Sequence, residues 1–253
     1  MSDYNFDHFL RVKESVTAVP TNDKFPLLRK SKIIHKFNII AFLEANYDLL
    51  DWFLMVLTLG VIPEMDSFTI AFFVRADSAY NSGTLFTYSV PGEPKDVIIL
   101  SFTESKVQFT IKDEVVSVNF PLADDVWHFV GVVWNGITGY VSVYIDGPEV
   151  KKATNVLKGD ILAGDGWIVL GQRYLAGGKN PGLSTAFVGT LHQVNLWNVA
   201  ANPDHMWNAA HNCTWPIAGS VRAWTNFLQG IKGKVEKRFM TQCQGTITLS
   251  TNS

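Results

Sequence analysis

From Ser67 onward, apolar residues recur at every second position in a series of short runs, with turn residues between them. Side chains on a β-strand point alternately to the two faces of a sheet, whereas a helix repeats every ~3.6 residues, so this pattern restricts the chain to strands. Phe68, Ile70, Phe72 and Val74 alternate with Thr69, Ala71, Phe73 and Arg75. Runs at 84–90, 97–102, 107–111 and 115–120 follow. In "WHFVGVVWNGITGYVSVYIDG" (127–147), His128, Val130, Val132 and Trp134 share one face, and Trp127, Phe129, Gly131 and Val133 the other. The reversal signal Asn135-Gly136-Ile137-Thr138-Gly139 then leads to Val141, Val143 and Ile145, alternating with Ser142, Tyr144 and Asp146. This is a hairpin inside a sheet-built core. Runs at 167–171 and 186–197 continue the series, and two closing strands are expected around 220–224 and 230–235. Many short strands with regular turns and no amphipathic helices between them predict an all-β fold: a two-sheet antiparallel jelly-roll sandwich.

One helix interrupts the pattern. In "NPDHMWNAAHN" (202–212), Asn202 supplies an N-cap side chain and Pro203 occupies the first helical position, where its missing N–H costs nothing. Met206, Trp207 and Ala210 fall at helical spacing and are expected to pack on the sandwich. Residues 24–60 are different, with neither clean alternation nor a sustained helical stripe. They carry Leu49, Leu50, Trp52, Phe53, Leu54 and Met55, a large apolar burden for an exposed insert. The expectation is one domain over 1–253, its core at 67–243, with 24–60 peripheral: an exposed insert, a short docked helix pair, or an artefact of gene prediction. Deleting 24–60 is then expected to leave thermal stability unchanged or improved.

Composition narrows the function classes. Of 253 residues, 47% are apolar and 17% charged, which suits a folded core and argues against disorder. A net charge of −2 gives no basic footprint, so neither nucleic acid nor an anionic membrane surface is an expected partner. The longest apolar stretch, 49–62, carries Asp51 and is too short to insert across a bilayer. The first residues, "MSDYNFDHFLRVKES", lack the apolar run and cleavage site of a signal peptide, which fits an intracellular protein, a mature fragment or an incomplete gene model. Two cysteines, Cys213 and Cys243, leave the redox compartment open by count alone.

Catalytic signatures are missing from the sequence. No H-E-x-x-H, G-x-S-x-G, Walker loop or G-x-G-x-x-G occurs. A sandwich glycosidase needs two carboxylates about 5 to 9 Å apart across a cleft, written on one strand as acidic residues at alternate positions. Asp113-Glu114 and Asp124-Asp125 are instead adjacent pairs at turns, and they read as solvated loop charges. No enzyme is expected. His128 and His192 lie in strands and suit structural roles; His205 and His211 do not share a helix face, so no zinc site is expected. Trp127, Trp134, Trp197 and Trp224 lie in alternating runs, which favours core packing over a carbohydrate platform. The loop "GQRYLAGGKNPG" (171–182), with four glycines and a proline, leaves a strand as binding loops on rigid sandwiches do. A plain flexible connection fits its composition equally well.

Taken in order, "FTIAFFVRA", "TLFTYSV", "VWHFVGVVWNG", "VSVYIDG", "IVLGQ" and "AFVGTLHQVNLWN" resemble the pentraxin domain. "GSVRAW" and "IKGKV" continue the match, which covers 67–243, with a weaker match at 7–20 to the first strand. Laminin-G-like modules share the sandwich, but "FVGTLHQVNLWN" followed by the Asn-Pro helix favours pentraxins. The resemblance implies a jelly roll with a helix on one face, an extracellular location and ligand recognition without catalysis. It also shows departures. The family's disulfide between the strands of "FTIAFF" and "WHFVGVVW" is absent, because Ala71 and Gly131 stand at the matching positions. Cys213 and Cys243 match a C-terminal pair of neuronal-type long pentraxins, which implies that they are bridged. Beside them, Asn212-Cys213-Thr214 is a glycosylation sequon, with Asn212 the candidate acceptor.

The calcium site implied by the resemblance is depleted. The acidic-amide pair after the "FTY" strand falls at Pro94 and Lys95, with Asp96 the nearest carboxylate. The acidic cluster after "LGQ" falls at Arg173, Tyr174 and Leu175, and two later ligands fall near Pro181 and Ser184 or Thr185. Calcium takes about six to eight oxygen ligands, so its binding is expected to be weak or absent. Glu93, Asp96 and Asn180 are the candidates for a rebuilt site, and Arg173, Tyr174, Lys179 and Asn180 are the candidate ligand contacts. The expected function is a non-enzymatic extracellular recognition or adhesion module, part of a larger secreted or receptor-ectodomain protein. Its partner would be a protein or glycan, and the resemblance allows a homo-oligomer. No cofactor is expected. The alternative is a calcium-dependent, lectin-like pentraxin for phosphorylated or carbohydrate ligands, with Ca2+ as its cofactor.

Overall fold

Among the described residues, the strands form two antiparallel sheets of seven strands each. One sheet runs β10 (Glu149–Ala153), β9 (Tyr140–Ile145), β8 (His128–Asn135), β3 (Ser67–Ala76), β12 (Gly189–Trp197), β1 (Phe37–Ala41) and β14 (Val235–Phe239). The other runs β13 (Ile231–Lys232), β2 (Met55–Leu57), β11 (Trp167–Leu170), β4 (Gly83–Ser89), β5 (Ile98–Thr103), β6 (Lys106–Ile111) and β7 (Glu114–Asn119). This computed structural model describes residues 37–41, 55–57, 61–173, 185–212, 218–227, 231–232 and 235–239.

Period-two alternation decides which side chains meet. Phe68, Ile70, Phe72 and Val74 of β3 enter the main core with Val130, Val132 and Trp134 of β8 and Val141, Val143 and Ile145 of β9. The second sheet contributes Phe86, Tyr88, Leu100, Phe102, Phe109 and Ile111 to the same core. Phe68 joins the sheets, with its ring 5.6 Å from Trp134 and 6.1 Å from Phe109. Burying each such side chain stabilises the fold by about 1.5–3 kcal/mol. The hairpin turn forms as its residues dictate: Asn135 Oδ1 accepts from Thr138 N at 2.9 Å, and Gly139 takes φ +76°, where a side chain would be strained.

The opposite face of β3 and β8 is covered by helix α1 (Pro203–His211). Asn202 caps it, its side chain accepting from His205 N at 2.9 Å. Met206 and Ala210 pack against Ala71, Phe73, Phe129, Val133 and Tyr144. Trp207 does not follow them: it is 51% exposed and stacks on His211 at 4.0 Å. A helix turns ~100° per residue, so the position after Met206 swings off the buried stripe. Ala71 and Gly131 are register partners on β3 and β8, and a Cβ at Gly131 would lie 3.0 Å from Met206 Sδ. The thioether therefore fills the space above the pair of positions that the resemblance would staple.

Several segments differ from their sequence-based expectation. Within 220–224 only Arg222 bridges to Leu196, and Trp224 opens a second short helix, α2 (Trp224–Phe227). Trp224 is buried as expected, but from a helix. Strand β12 starts at Gly189, after the buried non-strand residues Ala186, Phe187 and Val188. Two pieces of 24–60 are strands and not outside the sandwich: β1 pairs with β12 and β14, and β2 with β11 and β13. Runs of five and three residues are too short for periodicity to register, and backbone hydrogen bonding to neighbours on both sides places them.

Candidate functional site

Strand β11 pairs antiparallel with β4, Trp167 opposite Ser89 and Leu170 opposite Phe86, and it is the segment leaving β11 that reaches the β4–β5 turn, Arg173 meeting Asp96. Gly171 adopts φ +87°, a left-handed conformation that glycine takes without strain, and there the chain leaves the strand. Its backbone is fastened on both sides: its N–H donates to Leu85 O at 3.1 Å, and its carbonyl accepts from Phe187 N at 2.7 Å. Thr87 Oγ1 donates to the carbonyl of Gln172 at 3.1 Å. Arg173 thus starts its loop from a fixed base.

Across from it stands Asp96, whose side chain is 0% exposed. One carboxylate oxygen accepts from Ser89 Oγ at 2.7 Å and the other from Arg173 Nε at 3.1 Å. The Arg173 side chain is 33% exposed, so the ion pair runs from the interior to the surface. Lys95, next to Asp96, turns outward and pairs with Asp113 at 2.6 Å. Pro94 and Glu93 are exposed on the turn. Of the sequence-predicted site residues, the structure brings together Asp96 and Arg173. Tyr174, Lys179, Asn180, Cys213 and Cys243 lie outside the described residues. Asn212 is exposed at the C-cap of α1.

As paired, Asp96 and Arg173 leave no free carboxylate oxygen for a calcium ion. Calcium draws its affinity from several carboxylate and carbonyl oxygens. Here both oxygens of the one buried carboxylate are engaged, and one partner is itself a cation. A unit charge about 4 Å from a divalent ion opposes it by roughly 8 kcal/mol at an effective dielectric near 20. Among the described residues, no group of three or more His, Cys, Asp and Glu side chains could hold a metal ion.

A second polar cluster holds the other end of the sandwich. The His128 ring sits between two carboxylates, Nδ1 2.8 Å from Asp146 and Nε2 3.1 Å from Asp124. Asp146 also accepts from Phe129 N at 2.9 Å, and Phe120 packs edge-on to the imidazole at 4.8 Å. Asp124 and Asp125 are exposed, as the sequence predicts, and each also has a partner: Asp124 the His128 ring and Asp125 the Ser78 hydroxyl. Burial disfavours the charged imidazole, yet hydrogen bonds to Asp146 and Asp124, with their charges, outweigh it and raise the His128 pKa above its ordinary value. A raised folded-state pKa stabilises fully below the unfolded value and is lost as pH rises through the folded one. His128→Gln should therefore cost about 1–2 kcal/mol near pH 6 and clearly less near pH 9, measured by urea denaturation at each pH. A cost independent of pH would show that the ring contributes only by packing.

Among the described residues, no helix is long and apolar enough to cross a membrane. The model of the Pentaxin family matches residues 53–238. The "Sushi, von Willebrand factor type A, EGF and pentraxin domain-containing protein 1" of Rattus norvegicus is 31% identical over 183 residues, 72% of this chain and 5% of that protein. The neuronal pentraxin receptor of Homo sapiens is 31% identical over 185 residues, 73% of this chain and 37% of the receptor. The chain thus spans well under half the length of these relatives. Among solved structures, the native heptameric SAP-like pentraxin from Limulus polyphemus superposes with a TM-score of 0.69 at 18% identity, covering 85% of this chain and all of that one. The sandwich, its helix-covered face and these matches agree: the chain belongs to the pentraxin family.

Proposed function

We propose that this domain is a non-enzymatic, extracellular recognition module that engages a protein or glycan ligand without calcium. The contact between Arg173 Nε and Asp96 Oδ2 supports this reading most directly. By the family resemblance Arg173 stands at a position expected to supply a metal-binding oxygen, and its pairing with Asp96 supports a site without the ion. The ligand-contacting surface is the loop that begins at Arg173, with Tyr174, Lys179 and Asn180 as its further members. Membership in a family that includes a neuronal pentraxin receptor supports the extracellular assignment and the absence of catalysis. A homo-oligomer, as in the heptameric Limulus pentraxin, belongs to the same proposal.

Calorimetric titration with calcium chloride tests it. Affinity in the millimolar range or none is expected. Micromolar binding abolished by Asp96→Ala would overturn the reading in favour of the calcium-dependent, lectin-like alternative, with Glu93 and Asn180 completing the site.

The reading also includes a Cys213–Cys243 bridge, carried over from the neuronal-type pattern. The loop it closes would contribute roughly 3 to 4 kcal/mol. Intact mass after alkylation, with and without reductant, should show both thiols protected until reduction. Two freely alkylated thiols in the native protein would refute the bridge.

A further inference from the structure

Building on the calcium-free reading, we propose that the Arg173 guanidinium binds an oxyanion directly, taking a carboxylate, sulfate or phosphate group of the ligand as a paired hydrogen-bond donor. Only Nε of Arg173 is engaged among the described residues, on Asp96 Oδ2 at 3.1 Å. Nη1 and Nη2 make no other hydrogen bond among those residues, and the side chain is one-third exposed. A guanidinium is a rigid planar fork, so fixing one edge on a carboxylate aims the remaining N–H groups in a defined direction. That spacing matches two oxygens of a carboxylate, sulfate or phosphate.

The support beneath the fork is rigid at both ends. Asp96 is buried and cannot swing, because Ser89 Oγ holds its second oxygen at 2.7 Å. The backbone leading to Arg173 is tied by Thr87 Oγ1 to Gln172 O and by the two hydrogen bonds of Gly171. Preorganisation of this kind reduces the ordering cost of binding. Because Asp96 offsets the charge of Arg173, attraction at long range is small, and recognition depends on the geometry of the paired donors. The expected affinity for a free anion is therefore modest.

The test titrates the full chain, in the presence of EDTA, with inorganic phosphate, inorganic sulfate and acetate separately. The readout is the arginine Nε–H resonances in a 15N-labelled sample. Saturable shifts of one arginine Nε–H, absent in Arg173→Gln, are expected for at least one anion. Arg173→Lys, which keeps the charge without the fork, should weaken that binding about tenfold or more. The double variant Asp96→Asn/Arg173→Gln removes the buried charge along with the guanidinium, so a folded protein without anion binding is expected even if the single variant unfolds. The relative strengths of acetate and the two tetrahedral anions distinguish a carboxylated from a sulfated or phosphorylated ligand. Binding that persists in Arg173→Gln, or no saturable response to any of the three anions, would overturn this inference and leave the calcium-free reading standing. Anion binding that appears only when calcium replaces EDTA would overturn both.

Discussion

Arg173→Ala is expected to lower stability by about 3 kcal/mol, while Asp96→Asn costs about 1 kcal/mol. The two partners are unequal because their surroundings are. The Asp96 side chain is 0% exposed, so removing its cation leaves a carboxylate with Ser89 Oγ alone and no access to water. Arg173 is one-third exposed, so when the carboxylate is neutralised its guanidinium can turn to solvent. Breaking a buried pair from the side that strands the charge is the costly direction. Urea denaturation measures it, provided the slope with denaturant stays unchanged. The double variant Asp96→Asn/Arg173→Ala should cost less than the two single changes together, since the stranded charge no longer exists. Equal, small effects from both single variants would mean that the pair is a surface contact without energetic weight.

Trp134→Ala should be larger still, about 4 kcal/mol, close to the upper end of single-residue core truncations. Trp134 is completely buried, its ring touches that of Phe68 at the junction of the sheets, and its indole N–H donates to Val156 O at 3.1 Å. Removing it opens a cavity and leaves that carbonyl without its donor. Gly136 lies directly against the ring, where a Cβ would be 2.6 Å from Trp134 Cζ2, and it offers no side chain to fill the space that truncation leaves. Trp134→Phe separates the two losses; it keeps most of the packing, gives up the hydrogen bond, and should cost about 1–2 kcal/mol. Trp127→Ala, at a half-buried position just before β8, should cost about 1 kcal/mol. Thermal or urea melts order the three, and a Trp134→Ala cost below that of Trp127→Ala would contradict the assignment of the core.

The alternation of Phe68, Ile70, Phe72 and Val74 carried its own spatial meaning, because a strand has two faces and one of them must be buried. The hairpin at Asn135–Gly139 and the capped helix from Asn202 were equally legible, since turn and cap residues act on backbone groups a few positions away. Strands β1 and β2 were not legible. Pieces of five and three residues carry no period, and their pairing with β12, β14, β11 and β13 is long-range. Trp207 is exposed although it lies near Met206 and Ala210 in sequence, because one residue past Met206 it points about 100° off the buried stripe.

The candidate site divides the same way. Sequence alone determined the two-sheet sandwich from Ser67 onward, and the family resemblance put Pro94, Lys95 and Arg173 at positions where oxygen donors are expected. Sequence did not determine that Asp96 would be buried with Ser89 on one oxygen and Arg173 on the other, or that Asp124 and Asp146 would close on His128. Those partners lie 77 positions apart for Asp96 and Arg173, and 18 for His128 and Asp146. Propensity and periodicity act over a few residues; a charge is paired or stranded only once the sheets have stacked and excluded water around it.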